Sequence, residues 1–213
     1  PEMFNFQSMT PFFYETFCMG LLNTQYSLPQ SESYEVFHEP PANWPVKSLG
    51  HVDVQLVYSR DGQHWCRPVD RSPLIPNGEP GSPDEGVIFV GSANPFVIDG
   101  DTYLYYTAVR YQHNNRTQQV YMKAHNGDMR DAVSCMLAVM PEDHWVSLDA
   151  GAEDGWFVTK PWHMGLQLLV NADAKGGSIE AEFITPYGEP IPGFTRSQCI
   201  PVTGNGKDQE IRW

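Results

Sequence analysis

The chain has 213 residues and a formal net charge of −13, with 13 Lys and Arg against 26 Asp and Glu. That balance excludes a nucleic-acid or anionic-membrane surface, since each needs a basic patch, and it leaves a neutral, sugar-like partner as the better fit. Hydrophobic residues at 41% and charged residues at 18% belong to a folded chain, and 18 Gly with 18 Pro favour many short strands and turns over long helices. No apolar run approaches the ~18 residues of a membrane span.

In chain order, residues 3 to 26 are rich in Phe, Met and Leu. Phe12 to Asn23 is expected to form a buried inner strand with Glu15 as its one ionisable side chain. Residues 27 to 49 are polar and carry Pro29, Pro40, Pro41 and Pro45, which makes them a long connecting loop, with Tyr34, Phe37 and Trp44 available to pin it. Val52, Val54, Leu56 and Tyr58 then alternate with Asp53, Gln55, Val57 and Ser59, the period of a strand with one face more buried than the other. Asp61-Gly62 ends that strand in a hairpin, because Gly accepts a positive φ without steric cost, and Trp65 folds back over the turn.

Residues 66 to 86 form a Pro/Gly-rich crossing, followed by expected strands at Val87–Val90, Phe96–Ile98, Tyr103–Val109 and Val120–Ala124. Over residues 128 to 140, Val133, Met136, Leu137 and Met140 have helical spacing, while the neighbouring strands favour another strand. A different texture begins near Trp145. Trp156–Pro161, His163–Val170, Ser178–Thr185 and Glu210–Trp213 read as strands of a second antiparallel unit. No helix longer than three turns is expected, so the class is all-β with a boundary within residues 141 to 155. The chain starts at Pro1 and stops inside a strand-like run, so both ends are expected to be cut.

Cys18, Cys66, Cys135 and Cys199 are widely spaced and lack metal-ligand spacing; free thiols and one or two disulfides both fit. His51, His64, His125, His144 and His163 show no paired ligand spacing, and neither a metal nor a cofactor is expected. Asn115-Arg116-Thr117 is a glycosylation sequon in a polar stretch and tilts the expectation toward an extracellular protein.

Three motifs together resemble proteins related to glycoside hydrolase families 32 and 43. They are Asp53-x-Gln55-Leu56-x-x-Ser59-Arg60-Asp61-Gly62-x-x-Trp65-x-Arg67, Gly81-x-x-Asp84-x-Gly86-x-Ile88, and Gly100-Asp101-x-x-x-Tyr105-Tyr106 with His113 downstream. The resemblance implies a five-bladed β-propeller followed by a β-sandwich. Only about two and a half blades fit before Trp145. Residues 1–143 therefore resemble the C-terminal blades of such a propeller and residues 144–213 a sandwich-like domain, while the family's first-blade carboxylate lies in a portion this chain lacks. The Asp61 turn resembles the Asp-box of sialidases, whose role is structural.

Glycoside hydrolysis needs one protonated and one ionised carboxyl group flanking the bond. The resemblance places Glu15 and Asp84 in comparable positions of successive blades. Burial among aromatic residues would raise the Glu15 pKa, as a general acid requires. Their structural alternatives are a hydrogen-bonded partner of a neighbouring blade for Glu15 and a turn former for Asp84. Arg110, Tyr111 and His113 follow a strand end and are expected to contact sugar, against a plain loop role. Two functions follow: a glycosidase acting at the propeller axis, or a non-catalytic secreted structural or carbohydrate-binding protein on the same fold.

Overall fold

The computed structural model describes residues 3–27, 50–91, 94–161, 163, 165 and 167–213. The chain divides into two units, Pro1–Ser147 and Leu148–Trp213. Strands dominate the first, the described residues of the second hold one two-stranded sheet, and the class is all-β. The long loop expected over residues 27 to 49, with Tyr34, Phe37 and Trp44, lies outside the described residues apart from Ser27.

In the first unit, β1 (Met3–Tyr14) and β2 (Phe17–Ser27) form an antiparallel hairpin, and β2 pairs along β3 (Val52–Ser59). Short strands β4 (Trp65–Cys66) and β5 (Pro73–Ile75) add to β3. A second antiparallel group holds β6 (Val87–Phe89) and β7 (Phe96–Ile98) against one side of β8 (Asp101–Val109), with β9 (Val133–Pro141) on the other. A single parallel pair, Val52 with Val87, joins the two groups.

The groups pack face to face. Leu21, Val54 and Leu56 from the first meet Ile88, Leu104, Tyr106 and Ala108 from the second in one buried cluster. Trp145 closes it, with its ring 5.3 Å from Phe12 and 5.9 Å from Tyr14. The alternation read in β3 is real, but its polar face is covered too: every residue from Val52 to Val57 is buried. Asp53 and Gln55 must therefore find partners inside the protein.

Three expectations are corrected. Phe12 to Asn23 is not one strand: the chain reverses at Glu15-Thr16, where Tyr14 pairs with Phe17. Glu15 sits at the exposed tip with φ +50°. The apolar run is continuous because both arms of the hairpin bury a face. Val120–Ala124 is not a strand either but the end of helix α1 (Asn115–Ala124). Asn114 caps it by accepting the Thr117 N–H, and the His125 ring just past its end stacks on Tyr121 at 4.0 Å. Residues 156 to 161 have no regular structure, and Trp156, Phe157 and Val158 are exposed.

The strand reading of residues 128 to 140 holds as β9. In the second unit β10 (Leu168–Asp173) pairs with β11 (Asn205–Ile211). Isolated bridges join Ile179 to Val202 and Ile184 to Pro190, where Ser178–Thr185 was expected as a strand. The rings of Phe183, Phe194 and Trp213 lie 5.1 to 5.6 Å apart and form an aromatic centre. All four cysteines are free thiols.

Candidate functional site

Asp84 is built into its own loop. Ser82 Oγ donates to Asp84 Oδ1 at 2.7 Å and the Tyr106 hydroxyl donates to Oδ2 at 2.9 Å. The backbone closes around them, with Gly78 N donating to the Asp84 carbonyl at 3.2 Å and Asn77 Nδ2 bridging the carbonyls of Val52 and Asp84. Burial of Tyr106, and secondarily the Asp84 charge, pushes the tyrosine pKa up to about 12. The hydroxyl thus stays a donor, and both carboxylate oxygens are occupied.

Arg110 braces the same loop: Nη1 donates to the Gly81 carbonyl at 2.7 Å and Nε to the Asp131 carbonyl at 3.0 Å. Tyr111 passes so close to Gly86 that a Cβ there would lie 2.3 Å from the Tyr111 carbonyl. Its hydroxyl accepts from Gln118 at 3.2 Å. His113 docks by its backbone, donating to Gly50 O at 2.6 Å, and its exposed ring meets Phe89 edge-on at 5.6 Å. Asp84, Arg110, Tyr111 and His113 therefore gather at the end of the sheet marked by Val52, Val87 and Val109.

Glu15 does not join them. The tip that carries it lies beyond the Cys18–Ser59 pair, at the other end of β3. The length of β3 separates the two backbones, about 20 Å at ~3.3 Å per residue. One glycosidic bond cannot lie between groups so placed, because even an inverting pair stands only about 6.5–9.5 Å apart. The exposed position of Glu15 also removes the burial on which its role as a proton donor rested.

The Asp61 turn forms as its residues dictate. Asp61 Oδ1 accepts the Gln63 and His64 backbone N–H groups at 2.8 Å, Oδ2 meets His64 Nδ1 at 2.6 Å, and Ser59 Oγ accepts from Gly62 N at 2.9 Å. His64, through its side chain first and its backbone second, holds the Asp61 carboxyl well below its usual range. Gly62 has φ +72°, and Trp65 Nε1 donates back to its carbonyl at 3.2 Å. Asp61 is thus wholly engaged in the turn. The backbone of Asn115 opens α1; its side chain lies outside the described residues.

Sequence reasoning missed a buried polar network beside this end of the sheet. The Tyr26 hydroxyl donates to Asp53 Oδ2 at 2.7 Å, Gln55 Nε2 donates to Tyr26 at 3.3 Å, and Arg67 Nη1 donates to Gln55 Oε1 at 3.0 Å. His51 stacks on Tyr26 at 4.1 Å, and the Arg67 guanidinium lies 5.3 Å from the centre of the exposed Phe6 ring. Asp53 Oδ1 is buried and makes no hydrogen bond. Burial raises the Asp53 pKa, against the opposing pull of Tyr26 and then Gln55. The missed signal was the motif Asp53-x-Gln55 itself, two polar residues beside a strand's apolar positions.

In the second unit a shallow groove of about 720 Å³ is lined in part by Glu180, Glu182 and Arg196. Arg196 holds both carboxylates, Nε meeting Glu180 Oε2 at 2.6 Å and the backbone N–H donating to Glu182 Oε2 at 3.3 Å. Among the described residues no group of His, Cys, Asp and Glu has the arrangement of a metal site. Comparison with protein-family models, curated proteins and solved structures returns no match.

Proposed function

We propose that this chain is a non-hydrolytic carbohydrate-binding protein, built as the C-terminal part of a five-bladed β-propeller followed by a sandwich-like unit and working outside the cell. The observation that carries the binding role is the gathering of Arg110, Tyr111 and His113 beside Asp84 at one end of the sheet, with Glu15 at the other. Sugar hydroxyls are recognised by a few placed polar groups and sugar faces by aromatic rings. Tyr111 and His113 offer both, on a segment braced by Arg110 and the Asp84 loop. Asp84, with each oxygen already accepting a hydrogen bond, positions that loop rather than attacking a bond.

Two features support the propeller reading. The first unit consists of two antiparallel groups packed face to face, as neighbouring blades are, and β3 is joined to β4 by the Asp-box-like turn. The net charge of −13 fits a neutral glycan better than a polyanion.

The test pairs a glycan array and calorimetry with a hydrolysis screen on the same well-folded preparation. Binding without turnover is expected, with Tyr111→Ala and His113→Ala each weakening binding at least tenfold while the far-UV spectrum is unchanged. Turnover that Asp84→Asn abolishes would restore the glycosidase. A preparation that neither binds nor cleaves any glycan would overturn the carbohydrate role altogether.

A further inference from the structure

Asn-Gly pairs occur in the chain at 77–78, 126–127 and 205–206. Such a pair is chemically labile, because glycine has no side chain to hold its nitrogen away from the Asn carboxamide. The Gly nitrogen attacks Asn Cγ as its proton leaves; the Cγ–Nδ2 bond breaks, and the amide departs with that proton as ammonia. Water then opens the succinimide, adding hydroxyl to one of its two carbonyl carbons and a proton to the nitrogen. Aspartate or isoaspartate results, with one more negative charge, and water is the only co-reactant. The fold decides which pair reacts, since the nitrogen must be released and the ring needs room.

Two of the pairs are held. Asn77 Nδ2 donates to the carbonyls of Val52 at 3.1 Å and Asp84 at 3.3 Å, and Gly78 N donates to the Asp84 carbonyl at 3.2 Å. A Cβ on Gly78 would collide with Asp84 Oδ1 and Ser82 Oγ, so no space is left for a ring there. Asn205 and Gly206 lie in β11, opposite Asp173 and Ala172 of β10. Gln209 Nε2 ties the carbonyls of Gly206 and Ala172 together at 3.0 and 2.9 Å. Ring closure at Gly206 would pull it out of that ladder.

Asn126 differs on each count. It follows the capping His125 at the end of α1, and its side chain is exposed with no hydrogen bond to any described residue. A Cβ on Gly127 would meet nothing within 4 Å, so a ring has room. Asn126 and Gly127 both hold the left-handed conformation, at φ +52° and +82°, which strains the asparagine. One bond restrains the nitrogen, from Gly127 N to the Met122 carbonyl at 2.8 Å, and it lies at a helix end, where opening takes least free energy. We propose that Asn126 is a modification site, at which the folded chain deamidates before either of the other pairs. The product works against the helix. A carboxylate there opposes the dipole of α1, and isoaspartate adds a main-chain methylene between His125 and Gly127, whose bonds to Tyr121 and Met122 close the helix. The proposal is independent of the carbohydrate role.

Peptide mapping by mass spectrometry tests it, on the folded 213-residue chain held at mildly alkaline pH in heavy-oxygen water, whose label enters each new carboxyl group. Label at Asn126 is expected to accumulate at least about tenfold faster than at Asn77 or Asn205. In urea, with the folded environments gone, the three rates should converge to within about threefold. Asn126→Gly keeps the left-handed turn and has no carboxamide, so the main acidic variant in isoelectric focusing should disappear while the far-UV spectrum is unchanged. A folded chain labelled first at Asn77 or Asn205, or at none of the three, would overturn the proposal. A lead for Asn126 that persists undiminished in urea would do the same, because neighbouring sequence rather than the fold would then set the order.

Discussion

Asn23 and Val90 complete each other's hydrogen bonding across the two strand groups. Val90 N donates to Asn23 Oδ1 and Asn23 Nδ2 donates to the Val90 carbonyl, both at 3.0 Å. A side chain thus does there what a neighbouring strand does elsewhere. Asn23 is fully buried, so Asn23→Leu strands the Val90 N–H without water and leaves the Val90 carbonyl only the Thr10 hydroxyl at 3.3 Å. A loss of about 2–4 kcal/mol is expected in urea unfolding, with the slope unchanged. A loss below about 0.5 kcal/mol would mean that the pair is not formed in solution.

Asp53 should make stability fall as pH rises. Its folded pKa is raised above the unfolded value near 3.8, so the folded protein holds a proton that the unfolded chain releases. The resulting contribution is complete below pH 3.8 and disappears as pH climbs through the folded pKa. Asp53→Asn keeps an acceptor for the Tyr26 hydroxyl and removes the charge. Unfolding of the two proteins between pH 4 and 7 should diverge in favour of the variant, the gap widening as pH rises. Parallel curves would contradict the burial of an ionisable group there.

Replacing Gly62 by Val forces a β-branched residue to φ +72°. The expected cost is about 1–2 kcal/mol, read from thermal unfolding. Glycan affinity of the folded fraction should not change, because the turn lies at the Ser59 end of β3. Loss of affinity at full stability would place the turn in the site.

Glu15 and Asp84 should behave oppositely. Glu15→Gln at the exposed hairpin tip is expected to change stability by less than about 0.5 kcal/mol. Asp84→Asn puts a donor where Ser82 or Tyr106 now donates, and about 1–2 kcal/mol should be lost. Its signature is spectroscopic. With the negative neighbour gone, the Tyr106 pKa should drop from about 12, remaining above 10 because burial is the larger cause. An unmoved titration at 295 nm would disconnect the two side chains.

Local chemistry was legible in the sequence, and long-range placement was not. Ser59, Asp61, Gly62 and Trp65 specify their turn among themselves within seven positions, so the Asp61 hairpin could be read directly. The Glu15-Thr16 reversal carries no Gly, Pro or Asn, and apolar residues continue on both sides of it; nothing local marks the turn. Helix α1 was missed because its ten residues hold only a few apolar positions, while the Asn114 cap that starts it looked like loop. The Tyr26–Asp53–Gln55–Arg67 network joins residues up to 41 positions apart. It became visible only once both faces of β3 proved to be buried.

The lone Val52–Val87 pair sets an order of assembly. The β1–β2 hairpin closes over a two-residue turn, whereas that parallel pair must first bring together segments separated by the Asp61 turn and the Asp84 loop. Short closures cost less entropy and form sooner. The seam should therefore be the last part to lock and the first to breathe. In hydrogen–deuterium exchange, the seam amides of Val52 and Val90 should open by a smaller free energy than those in the middle of β2, although both lie equally deep. That outcome would make the number of main-chain partners, rather than depth, what sets an amide's lifetime in this protein.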